Sequence, residues 1–329
     1  MLEFDISSAP RSPDEMVDVT RENGRNLDHY QDILVQNKLP KLTPVPGATY
    51  LEIGTGLGNA IPGIFSLTGN TGKVVSIDIN QSTLELATRR LKQFYSQARP
   101  PASLINDVGI APPKEKADIS LFLGDLPDPL PPGVTLVQAD ISADFALPPN
   151  TFDQAISIWV FYQILDKLNA VKNVLQSLTP RGKFCAVSTG SVAFTNERLT
   201  EETITWLRER IWNTRASRFS WLTGTRELVY WAAQRGVSVR IASLADAVQI
   251  LFPKLKIYRG ETQAGRPEGA FMIDLSQGEK TRFMGAQISL QEGSFVSTRS
   301  SSVIPIYYAP EIYLNVTSSE SRGNLIPQE

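Results

Sequence analysis

Tyr50-Leu51-Glu52-Ile53-Gly54-Thr55-Gly56-Leu57-Gly58 is the stretch of the chain best suited to chemistry. An apolar run ends in a glycine-rich turn, and a helical pattern starts directly after it. A helix N-terminus leaves backbone N–H groups unpaired, and missing side chains let a ligand lie close to the backbone. Glu52, at the strand's end, can accept a hydrogen bond from a polar or positively charged ligand group. The stretch therefore suits a nucleotide-type ligand. Two common versions of such a site do not fit. A dinucleotide site wants a third glycine five residues after the first, where Asn59 stands, and no Gly-Lys-Ser/Thr follows to form a phosphate loop.

A few side chains elsewhere could move a proton. His29 is the only histidine, and a neutral imidazole titrates near working pH, which makes it a candidate general base. A lone histidine is more often structural, and Tyr30 and Tyr162 are comparable candidates. Cys185 is the only cysteine. It excludes an internal disulfide framework and a Cys-rich zinc site, and within an apolar strand it reads as buried and inert. No His/Cys/carboxylate cluster suggests a metal.

The elements that must position these residues alternate between strand and helix. Strands are expected at Thr49–Ile53, Lys73–Asp78, Val134–Ala139, Phe152–Ile158 and Gly182–Ser188. Helices are expected from Asn59 (as N-cap) to about Leu67, from Gln81 to about Ala98, and over Leu165–Leu178. Strands apolar on both sides, alternating with helices, predict a parallel sheet covered on both faces. A helix over Leu244–Leu251 and strands at Leu255–Arg259 and Ala270–Leu275 follow. The last two are joined by the turn Gly265–Gly269, so they should pair antiparallel. Two stretches interrupt the rhythm. Residues 99–133 are proline-rich and read as a surface excursion. Residues 190–240 hold Trp206, Trp212, Trp221 and Trp231 and read either as a helical subcore on the sheet or as an aromatic cap over a pocket. Residues 285–316 look strand-like, at Ala286–Leu290, Ser294–Thr298 and Ile304–Leu314, and the tail from Thr317 reads as loose.

Composition narrows the class. A hydrophobic content of 42% and a charged content of 20% describe a soluble globular chain. The net charge of -2 and the lack of a long Lys/Arg run give no global attraction to nucleic acid or anionic membrane. No apolar run reaches the ~18–20 residues of a membrane span. The start has no secretory pattern, so a cytoplasmic protein is expected.

Taken in order, these motifs resemble the class I S-adenosylmethionine-dependent methyltransferases. Leu51–Gly58 is similar to the family's first motif, Val74–Asn80 with Leu84 and Ala87 to the second, and Val137–Ile141 to the third. Leu147–Ser157 looks like the segment into strand four, and Leu178–Phe184 like the turn into strand five. The resemblance covers roughly residues 48–189, with the closing elements at 243–276. It implies an α/β, Rossmann-like doubly wound sheet of seven strands in the order 3-2-1-4-5-7-6, the last strand antiparallel, with a helical insertion and extra C-terminal strands. The divisions expected are an N-terminal helical lid (1–47), a cofactor-binding core (48–189), a helical insertion capping the substrate (190–242), the end of the core sheet (243–276), and C-terminal strands with the tail (277–329).

The cofactor implied is S-adenosyl-L-methionine. By the same resemblance, Asp78 would take both ribose hydroxyls and Ile79 would lie against the adenine. Asp140 would accept from the adenine amino group, while the Ile141 N–H meets a ring nitrogen. Glu52 with Gly54, Thr55, Gly56 and Gly58 would hold the methionine end, and Trp159 would border the cofactor. Family members line the methyl-transfer site with the segment after strand four, here Ile158–Gln163. It lacks the Asn/Asp-Pro-Pro-Tyr pattern of adenine- and amide-methylating members, and Trp159, Phe161 and Tyr162 would suit a small organic or hydrophobic acceptor. The partners expected are that small-molecule acceptor and possible self-association as a homodimer, without nucleic acid or membrane. A protein or peptide acceptor, a non-catalytic scaffold of the same fold and, more distantly, a dehydrogenase are the competing readings.

Overall fold

Alternating side chains on short Val/Ile-rich runs build the sheets. In chain order the strands are β1 Thr49–Ile53, β2 Lys73–Asp78, β3 Val134–Gln138, β4 Phe152–Ile158, β5 Leu178–Val187, β6 Ser191–Thr195, β7 Val239–Ser243, β8 Lys256–Arg259, β9 Phe271–Asp274, β10 Ser289–Ser297 and β11 Val303–Tyr308. The helices are α1 Ile61–Leu67, α2 Gln81–Gln97, α3 Lys167–Ser177, α4 Glu201–Asn213, α5 Ser220–Arg235 and α6 Leu244–Leu251. The computed structural model describes residues 34, 36–97, 133–143, 147–187, 189–213, 220–260, 269–275, 289–297 and 303–310.

Seven strands form one sheet in the order β3-β2-β1-β4-β5-β9-β8. β1 to β5 run parallel, while β9 is antiparallel to both β5 and β8. This is the doubly wound order expected from the sequence, with the closing strand reversed. Both faces are apolar because successive residues point to opposite sides. Leu51, Ile53, Val75, Ile77 and Phe184 join one buried cluster, covered by α3 and α6 through residues such as Val171, Val174, Ala247 and Val248. Tyr50, Val74, Leu136, Ile156 and Cys185 join the other, covered by Ile61 and Ile64 of α1, Leu84 and Leu91 of α2, and Leu34, Leu39 and Leu42 from the chain before β1.

The 190–242 segment is not helical throughout, which departs from its expected form. It opens and closes with β6 and β7, which pair with each other antiparallel. β11 adds to β6 in parallel and β10 adds to β11, giving a second sheet in the order β10-β11-β6-β7. β10 and β11 lie in the stretch expected to be strand-like, whereas β6 and β7, five residues each, are too short to stand out beside the stronger helical pattern between them. The second sheet also has two buried faces. Val192, Phe194, Ala242 and Tyr307 join the core shared with the seven-stranded sheet. Ala193, Ile304 and Ile306 pack under Ile204, Leu207, Leu228 and Trp231 of α4 and α5. The two helices thus form a subcore on the second sheet.

Two local details also differ. Asn59 does not cap α1: the N-cap is Ala60, with no side-chain hydrogen bond, and Pro62 occupies the first turn where its missing N–H is harmless. Helix α3 begins at Lys167, two residues later than its apolar pattern, because Asp166 caps it by accepting from the Asn169 N–H. Among the described residues no helix is long and apolar enough to cross a membrane.

Candidate functional site

The parallel strands β1 to β5 deliver their following loops to one edge of the sheet. The order reverses direction between β1 and β4, and a crevice opens outside the strand ends at such a point. Gly54–Gly58 lies there. Gly54, Gly56 and Gly58 have φ of 86, 49 and 74°, a region that side chains other than glycine rarely adopt. Space makes the same demand. A Cβ on Gly54 would overlap the Val160 side chain after β4, and one on Gly58 would come within 3.3 Å of Leu91 on α2. The loop is therefore pinched between the β4 segment and α2, and the Arg90 guanidinium donates to the Leu57 carbonyl at 3.3 Å.

Asp78 ends β2 beside this loop. One carboxylate oxygen accepts from the Gly56 N–H and the other from the Asn80 N–H, each at 2.9 Å. Burial raises its pKa, while the N–H bonds from Asn80, Gly56 and Ile79 oppose that shift. A carboxylate offers about four lone-pair sites, so these three N–H groups leave room for a further donor. Next to it Ile79 is 65% exposed. Asn80 then caps α2, accepting from the Ser82 and Thr83 N–H groups.

One strand further out, the Asp140 carboxylate accepts at one oxygen from the Ser142 N–H at 2.8 Å and from the Ser142 hydroxyl at 2.6 Å. The turn it opens is held from beneath by α3. The Asn173 amide donates to the carbonyls of Ile141 and Ala143, and the Asn169 amide to that of Ser142. The Ile141 side chain is buried in the core, so only its backbone can face a ligand. The sequence reading missed both asparagines. Their signal was their helical spacing of four on the apolar face of α3.

Glu52 lies on the α1/α2 side of the sheet, next to Ser76 in the β1–β2 register. It is buried, accepts from the Ser76 hydroxyl at 2.6 Å, and Ser76 meets the Thr55 hydroxyl at 2.6 Å. With Ser76 donating to Glu52, Thr55 must donate to Ser76, so Glu52 reaches the glycine loop through a chain of two hydroxyls. Burial pushes its pKa up to about 8, the Ser76 bond opposes this, and the negative charge of Asp78 adds to it.

After β4 the chain turns sharply. Trp159 has φ of 60°, unusual for a bulky residue and costly unless its surroundings enforce it. Its N–H donates to the Val187 carbonyl. Phe161 and Tyr162 open a short 3-10 turn, Phe161–Gln163. Phe161 does not line the site as expected. It is fully buried, its ring 5.6 Å from that of Phe184. Trp159 and Tyr162 stay half-buried, and the Tyr162 hydroxyl accepts from the Gln163 amide at 2.7 Å.

The strand ends thus bring together Glu52, the loop glycines, Thr55, Asp78, Ile79, Asp140, Ile141, Trp159 and Tyr162. His29 and Tyr30 lie outside the described residues. Among the described residues no group of three His, Cys, Asp or Glu side chains could hold a metal.

No family model and no curated protein sequence matches the chain. Among solved structures, phosphoethanolamine N-methyltransferase 2 of Haemonchus contortus, in complex with phosphomonomethylethanolamine and S-adenosylhomocysteine, is 13% identical, with a TM-score of 0.40, over 78% of this chain and 44% of its own. This chain therefore spans less than half the length of that protein. An arsenic(III) S-adenosylmethionine methyltransferase from Chlamydomonas reinhardtii is 16% identical, with a TM-score of 0.37, over 71% of this chain and 64% of its own. A SAM-dependent methyltransferase from Aquifex aeolicus is 13% identical, with a TM-score of 0.37, over 80% of this chain and 97% of its own. These are similarities in the general path of the chain.

Proposed function

We propose that the chain is an S-adenosyl-L-methionine-dependent methyltransferase acting on a small organic acceptor through oxygen, nitrogen or carbon. The observation that carries this reading is the pair Asp78–Ile79. A carboxylate tied to the glycine loop stands beside an isoleucine left 65% exposed, and such a pair suits a ribose with its attached purine. The crevice fits such a group in other ways too. Gly54 and Gly58 let the loop pass tightly against Val160 and Leu91, and Asp140 has a second carboxylate oxygen to offer an amino group.

In this reading Asp78 holds the ribose hydroxyls, Ile79 covers the adenine, and Asp140 with the Ile141 N–H reads its edge. Gly54, Thr55, Gly56 and Gly58 border the methionine end. Glu52 braces them through Ser76 and Thr55, and Trp159 closes the side toward the acceptor. When bound, the cofactor supplies a methyl group on a sulfonium, activated for in-line displacement. The protein's part is then to align the acceptor and exclude water. A base is required only if the acceptor must lose a proton, and His29, Tyr30 and Tyr162 are the candidates. The net charge of -2 favours an acceptor other than nucleic acid, and a cytoplasmic setting suits a chain with one buried thiol.

A protein or peptide acceptor is the second reading, favoured by the exposed Val229 and Tyr230 on α5. Incubating the protein and cell extract with methyl-labelled S-adenosylmethionine tests both. Label in the small-molecule fraction supports the first reading, and label confined to protein supports the second. No transfer to any fraction, with the protein folded, counts against both.

A further inference from the structure

Lys167, the first residue of α3, is 0% exposed. Its ammonium donates to the Ile164 carbonyl at 2.7 Å and to the Tyr162 carbonyl at 3.3 Å. A charge out of water is tolerable only if its hydrogen-bonding capacity is used. The cost of burying this lysine therefore becomes a constraint on the two carbonyls, which belong to the turn after β4.

A second fastening comes from the other sheet. The Tyr307 hydroxyl, on β11, donates to the Asp166 carboxylate at 2.8 Å and accepts from the Leu168 N–H at 3.2 Å. It shares the capping of α3 with Asp166, which accepts from the Asn169 N–H at 3.0 Å. The Tyr307 ring is anchored on Phe194 of β6, 5.9 Å between centroids. A third constraint is steric. At Gly190, just before β6, a Cβ would come within 3.3 Å of the Tyr162 backbone and 3.4 Å of the Lys167 side chain.

From these contacts we infer that Lys167 and Tyr307 are positioning residues. They fix where Tyr162 stands at the crevice, so the four-stranded sheet is the template for the acceptor side of the site. The term acceptor rests on the methyltransferase reading; the placement of Tyr162 does not.

Fluorine NMR of protein labelled with 3-fluorotyrosine tests the inference. The Tyr162 resonance is assigned by its loss in Tyr162→Phe, and that of Tyr230, a surface control on α5, by its loss in Tyr230→Phe. In Tyr307→Phe and in Lys167→Met the Tyr162 resonance should move by more than its linewidth while that of Tyr230 stays. A cap that served stability alone would lower the melting temperature and leave the Tyr162 resonance in place. That result in the folded variants overturns the inference. If Lys167→Met does not fold, Tyr307→Phe decides, since it removes one oxygen and keeps the ring on Phe194. Calorimetric titration of the unsubstituted protein with S-adenosylhomocysteine separates the two claims. Absence of binding sinks the cofactor reading and leaves the fluorine result to judge Tyr162.

Discussion

In the seven-stranded sheet, strands β1 to β5 are laid down in sequence, and each is followed by the loop it contributes to the crevice. In the four-stranded sheet, Ala193 of β6 pairs with Ile306 of β11 from the far end of the described chain, while β7 returns to β6 after two helices. The first region makes the edge of the crevice out of successive strand ends. The second makes a support out of distant pieces and, among the described residues, backs the turn after β4. They are nevertheless one body, because Phe194 and Tyr307 share a core with Phe161 and Phe184. Local order builds the ligand-facing surface, and long-range pairing holds one side of it still.

The largest effects test that shared core. Phe184 is fully buried between the rings of Phe161 and Phe271, and Phe184→Ala should cost about 4 kcal/mol in urea unfolding. Trp231→Ala, in the α4/α5 subcore, should cost a similar amount. Both variants should unfold in one transition by near-UV circular dichroism and fluorescence. Two separated transitions would break the comparison into two independent bodies.

The next effect concerns pH. Glu52 has its pKa raised from 4.5 to about 8 by burial. Between these values the unfolded chain has lost the Glu52 proton and the folded chain still holds it, so stability falls as pH rises across that window. Glu52→Gln should flatten the decline. On the order of 3 kcal/mol should separate the two proteins' changes between the ends of the window. Parallel pH profiles would show that Glu52 ionises freely in the fold.

Glycine substitutions give a smaller contrast. Gly54→Ala meets both a left-handed backbone and the Val160 side chain, and should cost about 2 kcal/mol. Gly47→Ala has the same backbone sign with nothing within 4 Å, and should cost about 1 kcal/mol. Equal losses in urea melts would mean that the close approach of Val160 to the loop does not matter. The smallest effect is kinetic. Cys185 is buried, with its thiol pushed up to about 12, so a thiol reagent should label it only as fast as the protein opens. Rapid labelling of the folded protein would place Cys185 at the surface.

The same contrast explains what could be read from the chain. Leu51–Gly58 and Val74–Asn80 carry their structure in local pattern: apolar alternation, then glycines or a cap. Their strand order came from the resemblance to the class I methyltransferases and not from the local pattern. Ser191–Thr195 and Val239–Ser243 carry no such mark. Five residues of mixed alternation become strands here through distant partners, β6 between β11 and β7, and β7 against β6. Phe161 could not be told from its neighbours Trp159 and Tyr162, because which member of an aromatic cluster turns inward depends on Phe184 in another strand. The Tyr307 contacts with Asp166 and Leu168 were likewise unreadable, since they depend on where β11 and α3 meet.

Isothermal titration with S-adenosylhomocysteine, comparing the unsubstituted protein with Asp78→Ala, tests the cofactor assignment most directly. Saturable one-site binding that is lost on removing the Asp78 carboxylate is the expected result. No binding by the folded protein, or equal affinity with and without that carboxylate, would contradict it.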